Sequence, residues 1–170
     1  MRVSVLLVGF EGEEAAAIIR RLLAEGDQVR LVEPDRSAAQ TWRDQGAFVA
    51  AGDPSDDDLI ERAAYEARTC VLFDRARPGV TDAVIAGARM AGVGRIVLVT
   101  GDSGGEGAAA LIASGFSHVI VLLPKKSLFG RERMTAERLA EAIDAADDLA
   151  GEPRLTVDLG TDEGWTELDL

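Results

Sequence analysis

In 170 residues the chain has one cysteine (Cys70), one histidine (His118), one tyrosine (Tyr65) and two lysines (Lys125 and Lys126). A single cysteine excludes an internal disulfide and, beside a single histidine, leaves no Cys/His set for zinc. No apolar run approaches the ~18 residues that a membrane span needs, and no charged-then-apolar leader precedes a cleavage site. Positive charge is also short: 18 Lys and Arg face 30 Asp and Glu, a net charge of −12. Such a surface repels phosphate backbones and anionic lipid, which argues against nucleic-acid and membrane partners. These absences together lead us to expect a cytoplasmic protein. What is present, 47% apolar and 28% charged residues, suits one globular domain of ordinary size.

Seven short apolar runs, at 3–8, 29–32, 48–51, 70–73, 96–99, 119–123 and 155–159, alternate with helical periods. Most runs are continuously apolar, as parallel strands covered on both faces should be. Ala15, Ile18, Ile19, Leu22 and Leu23 make one helical stripe. Leu59, Ile60, Ala63 and Ala64 make another, and Ala136, Leu139, Ala140 and Ile143 a third. Trp42 joins Ala38 and Ala39 on a buried helix face. Asp35 and Ser55 are expected N-caps, and Gly26 a helix-ending glycine. This alternation predicts a single doubly wound, Rossmann-like α/β domain over 1–160, its sheet mainly parallel, with an acidic tail at 161–170. Trp165, Leu168 and Leu170 in that tail point either to a docking segment or to a last turn packed on the sheet.

The first strand runs into Gly9-Phe10-Glu11-Gly12, and the second ends at Glu33. Strand, glycine turn, helix, then a strand ending in an acid is the arrangement of a dinucleotide-binding unit. Glycine admits the pyrophosphate, and the helix N-terminus turns unpaired N–H groups toward it. A carboxylate at Glu33 takes ribose hydroxyls and repels a 2′-phosphate, which favours NAD over NADP. Gly9, Phe10, Gly12, Glu33, Asp53 and Thr100 form the expected cofactor edge, with 100–107 as the opposite lip.

The Gly-x-x-Gly-x-x-Ala turn resembles that of the extended and atypical short-chain dehydrogenase/reductases. Gly52-Asp53, the run at 82–100, the segment at 113–121 and the closing strand at 155–160 are similar to that family's later elements. The resemblance implies an NAD(P)-binding Rossmann fold, with Asp53 near the adenine. A second one covers less of the chain: 32–36 and 52–56 also look like the nucleotide-sensing domains that regulate potassium transport.

Two departures bear on function. The reductase family draws its proton donor from Tyr-x-x-x-Lys, but Thr100 and Gly104 fall near those places here, and Tyr65 and the lysines lie elsewhere. The turn also carries Glu11, Glu13 and Glu14. Acids suit a first helical turn by roughly 0.3–1 kcal/mol each. A carboxylate about 5 Å from a phosphate, however, opposes binding by roughly 1 to 3 kcal/mol. Three functions stay open. The first is a non-catalytic, nucleotide-responsive or constitutive binding subunit. The second is a ligand-free interaction protein on a degenerate fold. The third is a small reductase or isomerase using other groups, such as Asp102, Ser103 and His118.

The remaining candidates have plainer explanations. His118 and Cys70 read as a hydrogen-bonded and an inert core residue, and Asp53, Asp56, Asp57 and Asp58 as an acid-rich helix start rather than a cation site. Lys125, Lys126, Arg131 and Arg133 read as a solvated basic loop. The helix over 135–146 is a candidate surface for a protein partner or homodimer.

Overall fold

A continuous apolar run buries side chains on both sides of its strand, so helices must cover each face. The structure is a computed structural model that describes residues 4–75, 77–101, 105–124 and 134–168. In chain order it contains β1 (Ser4–Val8), α1 (Gly12–Glu25), β2 (Gln28–Glu33), α2 (Arg36–Asp44), β3 (Phe48–Ala51), α3 (Asp57–Ala63) and β4 (Ala67–Phe73). There follow α4 (Val80–Ala91), β5 (Arg95–Thr100), α5 (Glu106–Ser114), β6 (Ser117–Leu122), α6 (Ala136–Asp148), β7 (Arg154–Asp158) and α7 (Asp162–Glu167). The strands form one sheet in the order β3-β2-β1-β4-β5-β6-β7. Every pairing is parallel.

Alternate residues of each strand feed opposite layers. Val5 and Leu7 pack with α1, α6 and Trp42 of α2; Leu6 and Val8 pack with α3, α4 and α5. Full burial of a Leu or Ile is worth roughly 1.5–3 kcal/mol, and that packing holds helices as short as the seven-residue α3, too short to persist alone.

The helix ends largely match expectation. Asp35 caps α2 by accepting from the Ser37 and Ala38 amides at 2.6 and 3.1 Å, and Gly26 closes α1 in the left-handed region. The cap of α3 is Asp56 rather than Ser55, which instead turns its amide and hydroxyl onto Asp53. β4 begins at Ala67, where it pairs with Ser4 of β1, rather than at Cys70; polar Arg68 and Thr69 interrupt the apolar pattern and hide this start in the sequence. At the amino end of β5 the buried Arg95 guanidinium donates to the carbonyls of Ala146, Asp147, Leu149 and Gly151, closing the end of α6. Burial pulls the Arg95 pKa down.

Residues 161–168 fold back as α7. Thr161 caps it through the Gly164 amide at 3.2 Å, the Trp165 indole donates to the Leu159 carbonyl at 3.0 Å, and Leu168 is buried. Of the two readings of the tail, its described part takes the packed turn; Leu170 lies outside the described residues.

Candidate functional site

β1 and β4 are neighbours, yet β1 leads into α1 on one face and β4 into α4 on the other. Their carboxyl ends therefore diverge, and a crevice opens at this reversal of strand order. Gly9 follows β1 there with φ +82°, and a Cβ on it would stand 2.6 Å from the Phe73 carbonyl oxygen. The glycine is thus required by the adjacent end of β4 as well as by the turn. Gly12 opens α1 at φ +59°, and nothing lies within 4 Å of where its Cβ would be. The first turn of α1 is open at this point.

Phe10 is buried, edge-to-face on Phe73 with ring centres 5.4 Å apart. Its side chain belongs to the core, and only its backbone faces the turn. The acids of the turn converge on a residue that sequence reasoning passed over. Arg75 Nε donates to the Gly9 carbonyl at 2.6 Å and stands 3.4 Å from Glu11 Oε1. Arg75 Nη2 donates to Glu14 Oε2 at 2.7 Å. The guanidinium lies over the Phe73 ring, 4.2 Å from its centre. Two of the three glutamates at the mouth thus share one cation, and Glu13 is exposed.

Beside the mouth lies a cleft of about 550 Å³, lined by Pro34, Gly52, Asp53, Pro54, Ser55, Arg77, Pro78 and Val80. A narrow gap next to Gly9 shares Pro54, Arg77 and Val80 with it, so glycine turn and cleft adjoin. Asp53 is exposed on this wall. Its Oδ1 accepts from the Ser55 amide and hydroxyl at 2.9 and 2.8 Å. Those bonds, the amide's first, hold its carboxyl below the ordinary value, with Arg77 adding to the effect.

Glu33 requires a correction. Its carboxylate is buried, with Oε2 accepting from the Trp42 indole at 3.1 Å and Oε1 from the Asp35 amide at 2.9 Å. Both oxygens are engaged inside the β2–α2 turn, so the side chain is not presented as a free ribose acceptor. The physical reason is the buried indole N–H, which needs a partner and finds the acid at the strand end. Thr100 is buried, its carbonyl accepting from the Leu123 amide at 2.9 Å. Of the lip beyond it, Asp102, Ser103 and Gly104 lie outside the described residues, as do Lys125, Lys126, Arg131 and Arg133.

The other candidates fall elsewhere. His118 is the second residue of β6, buried, with Nδ1 2.8 Å from the Phe116 carbonyl. Burial pushes the Cys70 thiol up to about 12. Asp56 is bound up in its cap, and among the described residues no group of three or more His, Cys, Asp or Glu could hold a metal. Tyr65 is exposed between α3 and β4, at the amino end of the sheet. α6 packs against α1, with Arg21 Nε 2.6 Å from Asp144 Oδ2. No helix among the described residues is long and apolar enough to cross a membrane.

A wholly parallel sheet with a glycine turn at its switch point defines a Rossmann domain, the NAD(P)-binding type of fold. The model of the TrkA-N domain matches residues 5–122, and the chain belongs to that family. No curated protein sequence matches. Solved structures share the fold at low identity. ChuY from Escherichia coli O157:H7, an anaerobillin reductase, superposes with a TM-score of 0.74 at 18% identity, covering 92% of this chain and 96% of that one. A short-chain dehydrogenase/reductase from Veillonella parvula gives 0.70 at 15%, covering 89% of each. The triphenylmethane reductase of Citrobacter sp., complexed with NADP(H), gives 0.74 at 16%, covering 94% of this chain and 70% of its own.

Proposed function

We propose that this chain is a nucleotide-responsive binding subunit that holds a nicotinamide adenine dinucleotide without turning it over through a Tyr–Lys pair. One observation carries the reading: the open Gly12 turn adjoins a cleft large enough for a nucleoside, at the switch point of a TrkA-N domain. The pyrophosphate would lie along the turn and the adenosine between Pro34 and Arg77. Thermal denaturation with NAD, NADH, NADP, NADPH, AMP, ATP and cyclic dinucleotides tests this. Saturation near 100 Kd stabilises the fold by about 2.7 kcal/mol, several degrees at this size. No shift with any nucleotide at millimolar concentration refutes the reading and leaves the ligand-free interaction protein.

A second reading, a small reductase, draws on the nearly complete mutual coverage with ChuY, itself a reductase. Consumption of NADH or NADPH with a reducible acceptor, abolished by Asp102→Asn or Ser103→Ala, would establish it over the first.

A further inference from the structure

We infer that Arg75 is the phosphate-recognition residue of this site, and that a dinucleotide reaches it by displacing Glu11 and Glu14. The inference rests on the dinucleotide reading above. Two requirements conflict at the mouth. A pyrophosphate on the α1 turn meets carboxylates that repel it, and each such charge counts for more at a crevice than in open water. Arg75 resolves the conflict because its fork is planar and always charged, and it matches a phosphate as well as a carboxylate. It also stands where exchange is short-range. Nε lies on the Gly9 carbonyl within the turn itself, and Nη2 on Glu14 at the first turn of α1. The guanidinium has a platform that does not depend on its ionic partner, the Phe73 face at 4.2 Å. Stacked there, the fork can exchange a carboxylate for a phosphate with little movement of its stem. Glu14 is partly exposed and Glu11 more so, so water receives both acids when they are released.

The arrangement makes Glu11 and Glu14 internal competitors. They hold the cation in the mouth and lower the affinity for any anion that needs it. Ligands with two linked phosphates repay the exchange, whereas a nucleoside without phosphate gains nothing from Arg75.

The test must separate recognition by Arg75 from mere neutralisation of the acids. Glu11→Gln/Glu14→Gln removes the two acids that Arg75 holds and leaves exposed Glu13, so in that background Arg75 no longer neutralises either partner. NADH binding, followed by its fluorescence, is expected to tighten about tenfold in the double variant relative to the native chain. Adding Arg75→Met, which keeps an apolar stem over Phe73, is expected to weaken it again by about tenfold. Arg75→Lys should fall between, and adenosine affinity should stay the same throughout. Melting curves establish that each variant is folded. If NADH binds but Arg75→Met changes nothing in the Glu11→Gln/Glu14→Gln background, this inference fails and the dinucleotide reading stands. If neither the native chain nor the double variant binds NADH or NADPH, the dinucleotide reading fails and takes this one with it.

Discussion

Glu33→Ala is the perturbation whose cost the structure defines best. The substitution removes the acceptor for the buried Trp42 indole and for the Asp35 amide at the start of α2. Hydrogen bonds to a charged group are each worth about 1.5–3 kcal/mol, and a buried donor left alone costs roughly 1–3 kcal/mol. Water reaches Asp35, which is exposed, but not the indole, which is only 5% exposed. The expected loss is therefore about 2–4 kcal/mol, dominated by Trp42. At roughly 2–4 °C per kcal/mol for a chain of this size, Tm should fall by about 4 to 16 °C. Circular dichroism melts of Glu33→Ala, Trp42→Phe and the double variant check this. The double variant should lose less than the two singles together, because either change alone already breaks the bond. A Glu33→Ala protein within about 0.5 kcal/mol of the native chain would refute the reasoning.

Three further outcomes follow from other parts of the fold. Arg95→Met leaves four carbonyls around the end of α6 without their donor and should destabilise by about 3–5 kcal/mol; urea titration measures it. Cys70 protonates more readily folded than unfolded, so stability is unaffected below its unfolded pKa, near 9, and falls as pH rises from there toward 12. The slope, up to about 1.4 kcal/mol per pH unit, should vanish in Cys70→Ala. Gly164→Ala places a Cβ 2.1 Å from the Asp158 carbonyl oxygen, so α7 must leave β7. Limited proteolysis should then cut after 158, and an uncut chain would contradict that packing.

The sheet was legible because its signal is local and repeated: most strands hold an apolar run, and the longer helices between them carry a stripe. Gly9 and Gly12 were legible for the same reason, their spacing being fixed within four residues. Arg75 was not, since its partners lie 61 to 66 residues away and nothing around it forms a motif. A signal did exist. In a doubly wound sheet the end of β4 adjoins the β1 turn, so an arginine just past β4 meets any acids placed there. Glu33 misled because strand position says where a carboxylate begins and not which way it turns. The buried indole nine residues on decided that direction. The tail was left ambiguous because α7 is six residues long, and its capping Thr161 and buried Leu168 come clear only against the sheet.

The bond between Trp42 and Glu33 also has an optical consequence. The chain has two indoles: Trp165 sits against α6 with the Arg138 guanidinium 4.4 Å over its ring, while Trp42 stands behind the wall of the cleft. Replacing Trp165 by Phe would leave a lone indole bonded to Glu33 at the end of β2, one residue before Pro34 of the cleft, an intrinsic reporter whose emission reads events at that edge without any added dye.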